Sequence, residues 1–212
     1  MPTEVLGADG WTISGFWVIM NPGVLFGPRQ SDELPGVTKP KGYRMLDRIS
    51  VGKNVRLGRN VVLTGSVDIG ANTSIWHNVV VRGDVAPIAI GSQCNIQDGT
   101  VIHGQLDQWK VSVGSRVSVG HSCILHGCEL ESECFVGMGS IVMNGCHIGR
   151  NVMIAAGSLI PEGTRIVDEN VLVMGRPGKI VRELNAREIG MIRDTPDRYV
   201  DYANRWLPPM EG

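Results

Sequence analysis

Residues 136–160 read VGMGSIVMNGCHIGRNVMIAAGSLI, with Val136, Val142, Ile148, Ile154 and Ile160 six apart. A period of six fits neither a helix, at 3.6, nor an unbroken strand, at 2. It fits a chain that turns a corner every six residues and buries one aliphatic per straight segment, the hexapeptide repeat of a parallel β-helix. The series runs on in both directions. Val51, Leu57, Leu63, Ile69, Ile75 and Val81 open it, and Ile90, Ile96 and Ile102 continue it. Val113, Val119, Leu125 and Leu130 lead into the quoted stretch, and Ile166 closes it. Four residues after most of these comes a small or β-branched residue, such as Val55, Thr73, Cys94, Thr100, Cys123, Cys134 or Ser140, and Gly or Asn is common between. Three hexapeptides make one triangular coil, and stacked coils pair as parallel strands about 4.8 Å apart. One coil cannot bury its own inward face, so stacking is required. The expectation is an all-β parallel β-helix of six to seven coils over residues 49–170.

The chain's 212 residues suit one domain with attachments and a sizeable core. Its 28 glycines and few aromatics suit tight turns more than a core of large rings. A formal net charge of -1 gives no basis for binding nucleic acid. Five cysteines without a repeated CxxC spacing indicate neither a disulfide framework nor a zinc ribbon, and they fit a reducing compartment. Cys94, Cys123, Cys134 and Cys146 take the small position after an aliphatic and read as buried turn fillers, whereas Cys128 lies off that register. Residues 1–48 form an extension whose stretch 11–28 carries no charge. No charged n-region precedes it, since the first basic residue is Arg29. Asn21-Pro22-Gly23 interrupts its apolar part, short of the about 20 residues a spanning helix needs. It reads as a docking segment, or alternatively as a surface amphipathic helix.

The period breaks three times. Nine residues separate Val81 from Ile90, eleven separate Ile102 from Val113, and five separate Leu125 from Leu130. Breaks in a regular scaffold tend to mark function, and these flank histidines. His103 directly follows Ile102 and His126 directly follows Leu125, so both take the same outward position on one side of adjacent coils. Arg82 follows Val81 in the same column one coil earlier. Two imidazoles so stacked can share a metal ion. His121 is two residues after Val119, on the preceding side near a corner, and does not easily reach that ion. A triangular prism favours three-fold packing, which predicts a trimer in which a neighbour's His121 completes the site. Asp98, two after Ile96, stacks beneath His121, where a carboxylate would fix the imidazole tautomer. His77 and His147 fall outside the column and read as surface residues.

The motifs VVVRGDV (79–85), NIQDGTVIH (95–103), VGHSCILHGC (119–128) and VGMGSIV (136–142) resemble the gamma-class carbonic anhydrase family over about residues 52–184. The resemblance implies a left-handed parallel β-helix, a trimer with one metal per interface, and reversible hydration of carbon dioxide to bicarbonate. It implies His103 and His126 as metal ligands from one subunit and His121 from the next. It gives Arg82 and Asp84 an interface ion pair and Gln97 the task of orienting the bound water, with Asp98 beside it. Zinc is the expected metal, and iron or cobalt accept the same three imidazoles. The resemblance also implies a C-terminal helix along the prism. Residues 171–212 then divide into a linker, MGRPGKIVREL (174–184), and a helix opened by Thr195-Pro196 and running to about Trp206. Tyr199 or Tyr202 would point at the site.

Two features depart from the active members of that family. Val85 stands where they have a glutamate, and the 104–112 loop offers only Asp107 where theirs is longer and acidic. Both put proton transfer in question. SGFWVIM (14–20) and YRMLDRISVG (43–52) are similar to the amino-terminal extension of the gamma carbonic anhydrase subunits of mitochondrial complex I. That likeness implies a homo- or heterotrimer docked on a large respiratory membrane complex, on the matrix side of the inner membrane. The alternative is a cytoplasmic protein whose extension packs on its own trimer. A hexapeptide acyltransferase, with one histidine as general base, leaves the other two histidines unexplained.

Overall fold

The computed structural model describes residues 48–208 and, by backbone alone, 11–14 and 18–19. From Arg48 the chain winds into a parallel β-solenoid of about seven turns, consistent with a left-handed β-helix of hexapeptide repeats. On one side Val51 pairs with Ile69, Ile69 with Ile90, Ile90 with Val113, Val113 with Leu130, Leu130 with Ile148 and Ile148 with Ile166. Every aliphatic of the periodic series is at most 4% exposed. The stack is therefore one continuous core, and removing any rung opens a cavity.

The corners explain the Asn and Gly of the repeat. Three residues after the aliphatic the backbone turns left-handed, at Asn54, Asn60, Asn72 and Asn78 and at Gly99, Gly139, Gly145, Gly157 and Gly163. Glycine has no Cβ to clash there, and asparagine tolerates that region better than most residues. Asn54 donates to Asn72 at 3.1 Å and Asn60 to Asn78 at 3.0 Å, so two successive corners are each laddered by an asparagine pair. The next residue turns inward and binds a carbonyl of the adjacent coil. Thr73 Oγ1 donates to the Gly91 carbonyl at 2.8 Å, and Cys94 Sγ to that of Gly114 at 3.0 Å. Cys128, off register, is also buried.

The three sides differ outwardly. Side one bears Ser50, Asp68, Ala89, Ser112, Glu129, His147 and Arg165 in register. Side three bears Val62, Val80, Val101, Ile124, Ile141 and Leu159, an unbroken aliphatic column. Side two is covered by the C-terminal helix, Ala186–Trp206. Met153, Leu172, Leu184 and Ile192 form a cluster there with Phe135 and Ala155. Arg116 ties the helix midpoint through Asp197 at 2.9 Å, and Arg56 ties its far end through Asn204 at 3.2 Å.

The C-terminal segment corrects two expectations. Val171–Gly175 adds a further rung to side two and turns back through a cis Arg176-Pro177 bond into Gly178–Glu183, so 174–184 is a hairpin and not a linker. The helix starts at Ala186, capped by Asn185, with Pro196 inside it. Asn185 accepts from the Glu188 N–H at 3.0 Å while the Glu188 carboxylate accepts from the Asn185 N–H at 2.9 Å. This reciprocal box outranks Thr195-Pro196 as a start. Packing on side two carries the helix past a proline that forfeits one backbone bond.

At the other end Trp11–Ser14 pairs antiparallel with Arg48–Val51, and Val18–Ile19 with Val62 and Leu63. The rest of the expected docking segment, 15–17 and 20–28, and residues 43–47 of the second motif lie outside the described residues.

Candidate metal centre

The register sets Arg82, His103 and His126 in one column on side three. His103 Nδ1 lies 3.2 Å from His126 Nε2. The other nitrogen of each ring faces an oxygen: His103 Nε2 lies 3.1 Å from Asp84 Oδ1, and His126 Nδ1 lies 2.6 Å from Asn144 Oδ1. A carboxylate only accepts, so the His103 proton sits on Nε2. When the His126 proton is likewise directed to Asn144 Oδ1, two lone pairs face each other across the 3.2 Å gap. Two imidazoles on a tetrahedral zinc, at about 2.0–2.1 Å, have their nitrogens about 3.3 Å apart. The pair therefore fits a metal, and an oxygen behind each ring is the usual support of metal-bound histidine.

Asp84 reaches His103 because of the nine-residue break. Within Val80–Ile90, residues 84–87 stand opposite Ser66 alone. This bulge swings the carboxylate back over its own column. Arg82 donates to Asp84 Oδ2 at 2.9 Å. Burial would raise the Asp84 pKa, but the hydrogen bond and charge of Arg82, with the charge of His103, hold it below the ordinary value. Burial first, then the Arg82 charge, lowers that of His103 against the opposing pull of Asp84. His103 is thus neutral near neutral pH, the form in which an imidazole can accept a metal. Within the chain, Arg82 and Asp84 bond each other.

Side two carries the remaining candidates. His121 Nδ1 lies 2.9 Å from Asp98 Oδ2, and Asp98 Oδ1 accepts the His77 N–H at 3.3 Å. Gln97, 5% exposed, donates to Asn95 Oδ1 at 2.9 Å. Tyr199 is half-buried, its ring 5.5 Å from that of Trp76, and burial with the charge of Asp98 raises its pKa. Tyr202 is more exposed and lies 5.6 Å from Tyr199. Of the two tyrosines, Tyr199 is the one beside the edge that carries Asp98 and His121. Among the described residues no group of three His, Cys, Asp or Glu gathers into a metal set. One chain thus presents two converging imidazoles on one side and a third, carboxylate-backed, on another.

The bacterial transferase hexapeptide (six repeats) family matches residues 48–83 and 127–162. A probable carbonic anhydrase of Methanocaldococcus jannaschii is 49% identical over 150 residues, covering 71% of this chain and 93% of the relative. Gamma carbonic anhydrase 2, mitochondrial, of Arabidopsis thaliana is 38% identical over 160 residues, covering 72% of this chain and 56% of that protein. The chain belongs to the gamma carbonic anhydrase family of hexapeptide-repeat proteins. A solved structure of a putative acetyltransferase from Bacillus cereus is similar with a TM-score of 0.72 and 35% identity, over 75% of this chain and 91% of the other.

Within this gamma carbonic anhydrase scaffold, sequence reasoning missed Asn144 and Gln105, whose amides bond at 2.6 Å behind His126. The glycine that follows His126 and the one that follows Asn144 were the available signal. His77 and His147 are half-buried and not free surface residues. His77 Nδ1 accepts the Arg59 N–H at 2.7 Å, and His147 lies 3.2 Å from Glu129 and 3.0 Å from Glu131.

Proposed function

We propose that this chain is a zinc-dependent lyase, a carbonic anhydrase that hydrates carbon dioxide reversibly to bicarbonate. Its sites lie between the subunits of a trimer, with His103 and His126 from one subunit and His121 from the next. The observation that carries the reading is the pair of imidazole nitrogens 3.2 Å apart, with an oxygen of Asp84 or Asn144 at the other nitrogen of each ring. The aliphatic column of side three, which no helix among the described residues covers, lies alongside that pair and supports a neighbour packed against it. When bound, the metal would supply hydroxide near neutral pH by lowering the pKa of its water to about 7. The chain's own groups do the rest. Asp84, kept ionised by Arg82, orients His103, and Asp98 orients His121. Gln97, buried beside Asp98, would orient the attacking oxygen. Val101 and Ile124, beside the column, give apolar carbon dioxide a dry approach. Iron(II) or cobalt(II) would satisfy the same ligands.

Subunit mixing tests this. His121→Ala trimers and His103→Ala trimers should each lack metal and activity, and refolding the two together should restore both in part. Metal-free wild-type protein with its three histidines intact, or no recovery on mixing, would overturn the reading.

Val85 and the short loop support a second reading. It is a structural subunit of mitochondrial respiratory complex I, on the matrix side of the inner membrane, with weak or no turnover. Migration of the chain in a large complex on native gels of its source, with no stopped-flow hydration by zinc-loaded trimer, would establish it. Migration as a free trimer instead supports a cytoplasmic enzyme. The likeness to a putative acetyltransferase keeps acyl transfer as a third reading, tested by release of free thiol from acetyl coenzyme A.

A further inference from the structure

We propose that Asn144 and Gln105 are positioning residues that hold His126 in the single tautomer able to face a metal, an inference that rests on the metal reading above. The observation is a relay of carboxamides. Asn144 Oδ1 lies 2.6 Å from His126 Nδ1, Asn144 Nδ2 donates to Gln105 Oε1 at 2.6 Å, and Gln105 Nε2 donates to Gln108 Oε1 at 2.7 Å. A carboxamide has one accepting and one donating end. Each nitrogen points at the next oxygen, so the relay has a direction, and its first oxygen faces His126. A neutral imidazole carries one proton. An oxygen acceptor at Nδ1 keeps that proton there and leaves Nε2 as a bare lone pair. If every amide were reversed, Asn144 would present an N–H to Nδ1. The proton would move to Nε2, and His126 would hydrogen-bond His103 instead of opening to a cation.

The surroundings are shaped around this relay. Asn144 is 8% exposed, so water competes poorly for its oxygen. Gly127, directly after His126, has φ +57, and a Cβ on it would stand 2.6 Å from Asn144 Oδ1 and 2.6 Å from Trp109 Cβ. A Cβ on Gly145 would stand 3.1 Å from the Trp109 ring. Trp109 therefore packs over two bare glycine corners. It also closes the loop on Gln105: the Gln105 N–H donates to the Trp109 carbonyl at 2.8 Å and the Trp109 N–H to the Gln105 carbonyl at 3.1 Å. The eleven-residue break between Ile102 and Val113 thereby gains a purpose. It delivers Gln105 to Asn144, across 39 residues of sequence.

Histidine tautomers can be read by long-range proton–nitrogen NMR on metal-free trimer with the ring neutral, and zinc affinity by competition with a chelator. In the wild type, His126 should carry its proton on Nδ1. Asn144→Ala should move it to Nε2 and weaken zinc binding about 10–100-fold. Asn144→Asp, which can only accept, should keep the wild-type tautomer and most of the affinity. Gln105→Ala should shift both readouts part of the way. Unchanged tautomer and affinity in folded Asn144→Ala and Gln105→Ala proteins would overturn the relay. If Asn144→Ala does not fold, the contrast of Asn144→Asp with Gln105→Ala decides: an unmoved tautomer in Gln105→Ala overturns it. The tautomer is measured without metal, so wild-type protein that binds no zinc would count against the function and leave this test standing.

Discussion

His103 and His126 stand on successive coils with their facing nitrogens 3.2 Å apart, each backed by an oxygen from a different part of the chain. Either alanine substitution should abolish zinc binding, measured by elemental analysis, while circular dichroism stays that of the wild type. Zinc should raise the thermal midpoint of the wild type only. At a free concentration a hundred times its dissociation constant it should add about 2.7 kcal/mol.

Val85 occupies the position after Arg82-Gly83-Asp84, and Asp107 is the only acid in the 104–112 loop. Proton release should then depend on external buffer. Hydration rates should climb with imidazole buffer concentration at fixed pH. Val85→Glu should flatten that dependence and raise the low-buffer rate at least about tenfold. A wild-type rate indifferent to buffer would point to an internal shuttle.

Asn185, not Thr195, begins the C-terminal helix. Asn185→Ala should cost about 1 kcal/mol in urea unfolding, and Thr195→Ala less. The hydrogen bonds of Glu188 to Arg182 and to the Asn185 N–H lower its pKa from 4.5 to about 2. A depressed carboxylate stabilises the fold above its unfolded value. The advantage over Glu188→Gln should therefore be full at neutral pH and fade as pH falls from 4.5 towards about 2.

Asn72 sits at a left-handed corner with φ 58. Asn72→Ala should cost about 1 kcal/mol, and Asn72→Gly distinctly less, because only the alanine Cβ meets the following carbonyl. Ile102→Ala, in the core directly beneath His103, should cost about 2–5 kcal/mol and lower metal occupancy with it.

Burial pushes the thiols of Cys94 and Cys134 up to about 12 and that of Cys123 to about 11, and raises those of Cys128 and Cys146 too. A thiol reagent in mild base should find none of the five cysteines until denaturant is added. Rapid reaction of native protein would mean that a corner opens.

The coil was legible because one buried aliphatic recurs every six residues, which fixes side and height for every position. The same arithmetic stacked Asp98 under His121 and His103 under His126. It failed where the chain leaves the period. The 174–184 segment looked like a linker because Arg176-Pro177-Gly178 also suits an open turn, and only packing on the last coil makes it a hairpin. Thr195-Pro196 imitates a helix start, and it masked the earlier local signal, Asn185 with Glu188 three residues on. Asn144 and Gln105 were hard to see for another reason, with only the glycines after His126 and Asn144 as a signal. Outward carboxamides have no signature, and their partnership depends on a loop folding back over two glycines.

Side one has a practical consequence. Its outward rungs hold none of the proposed ligands or their oxygen partners, and the C-terminal helix does not cover it. A lineage could vary Asp68 or Arg165 there at little cost, whereas the rungs of side three are bound to one another and to the histidines. For the bench, the same asymmetry makes Arg165, exposed and on a different side from the histidine column, a sound place for a fluorophore.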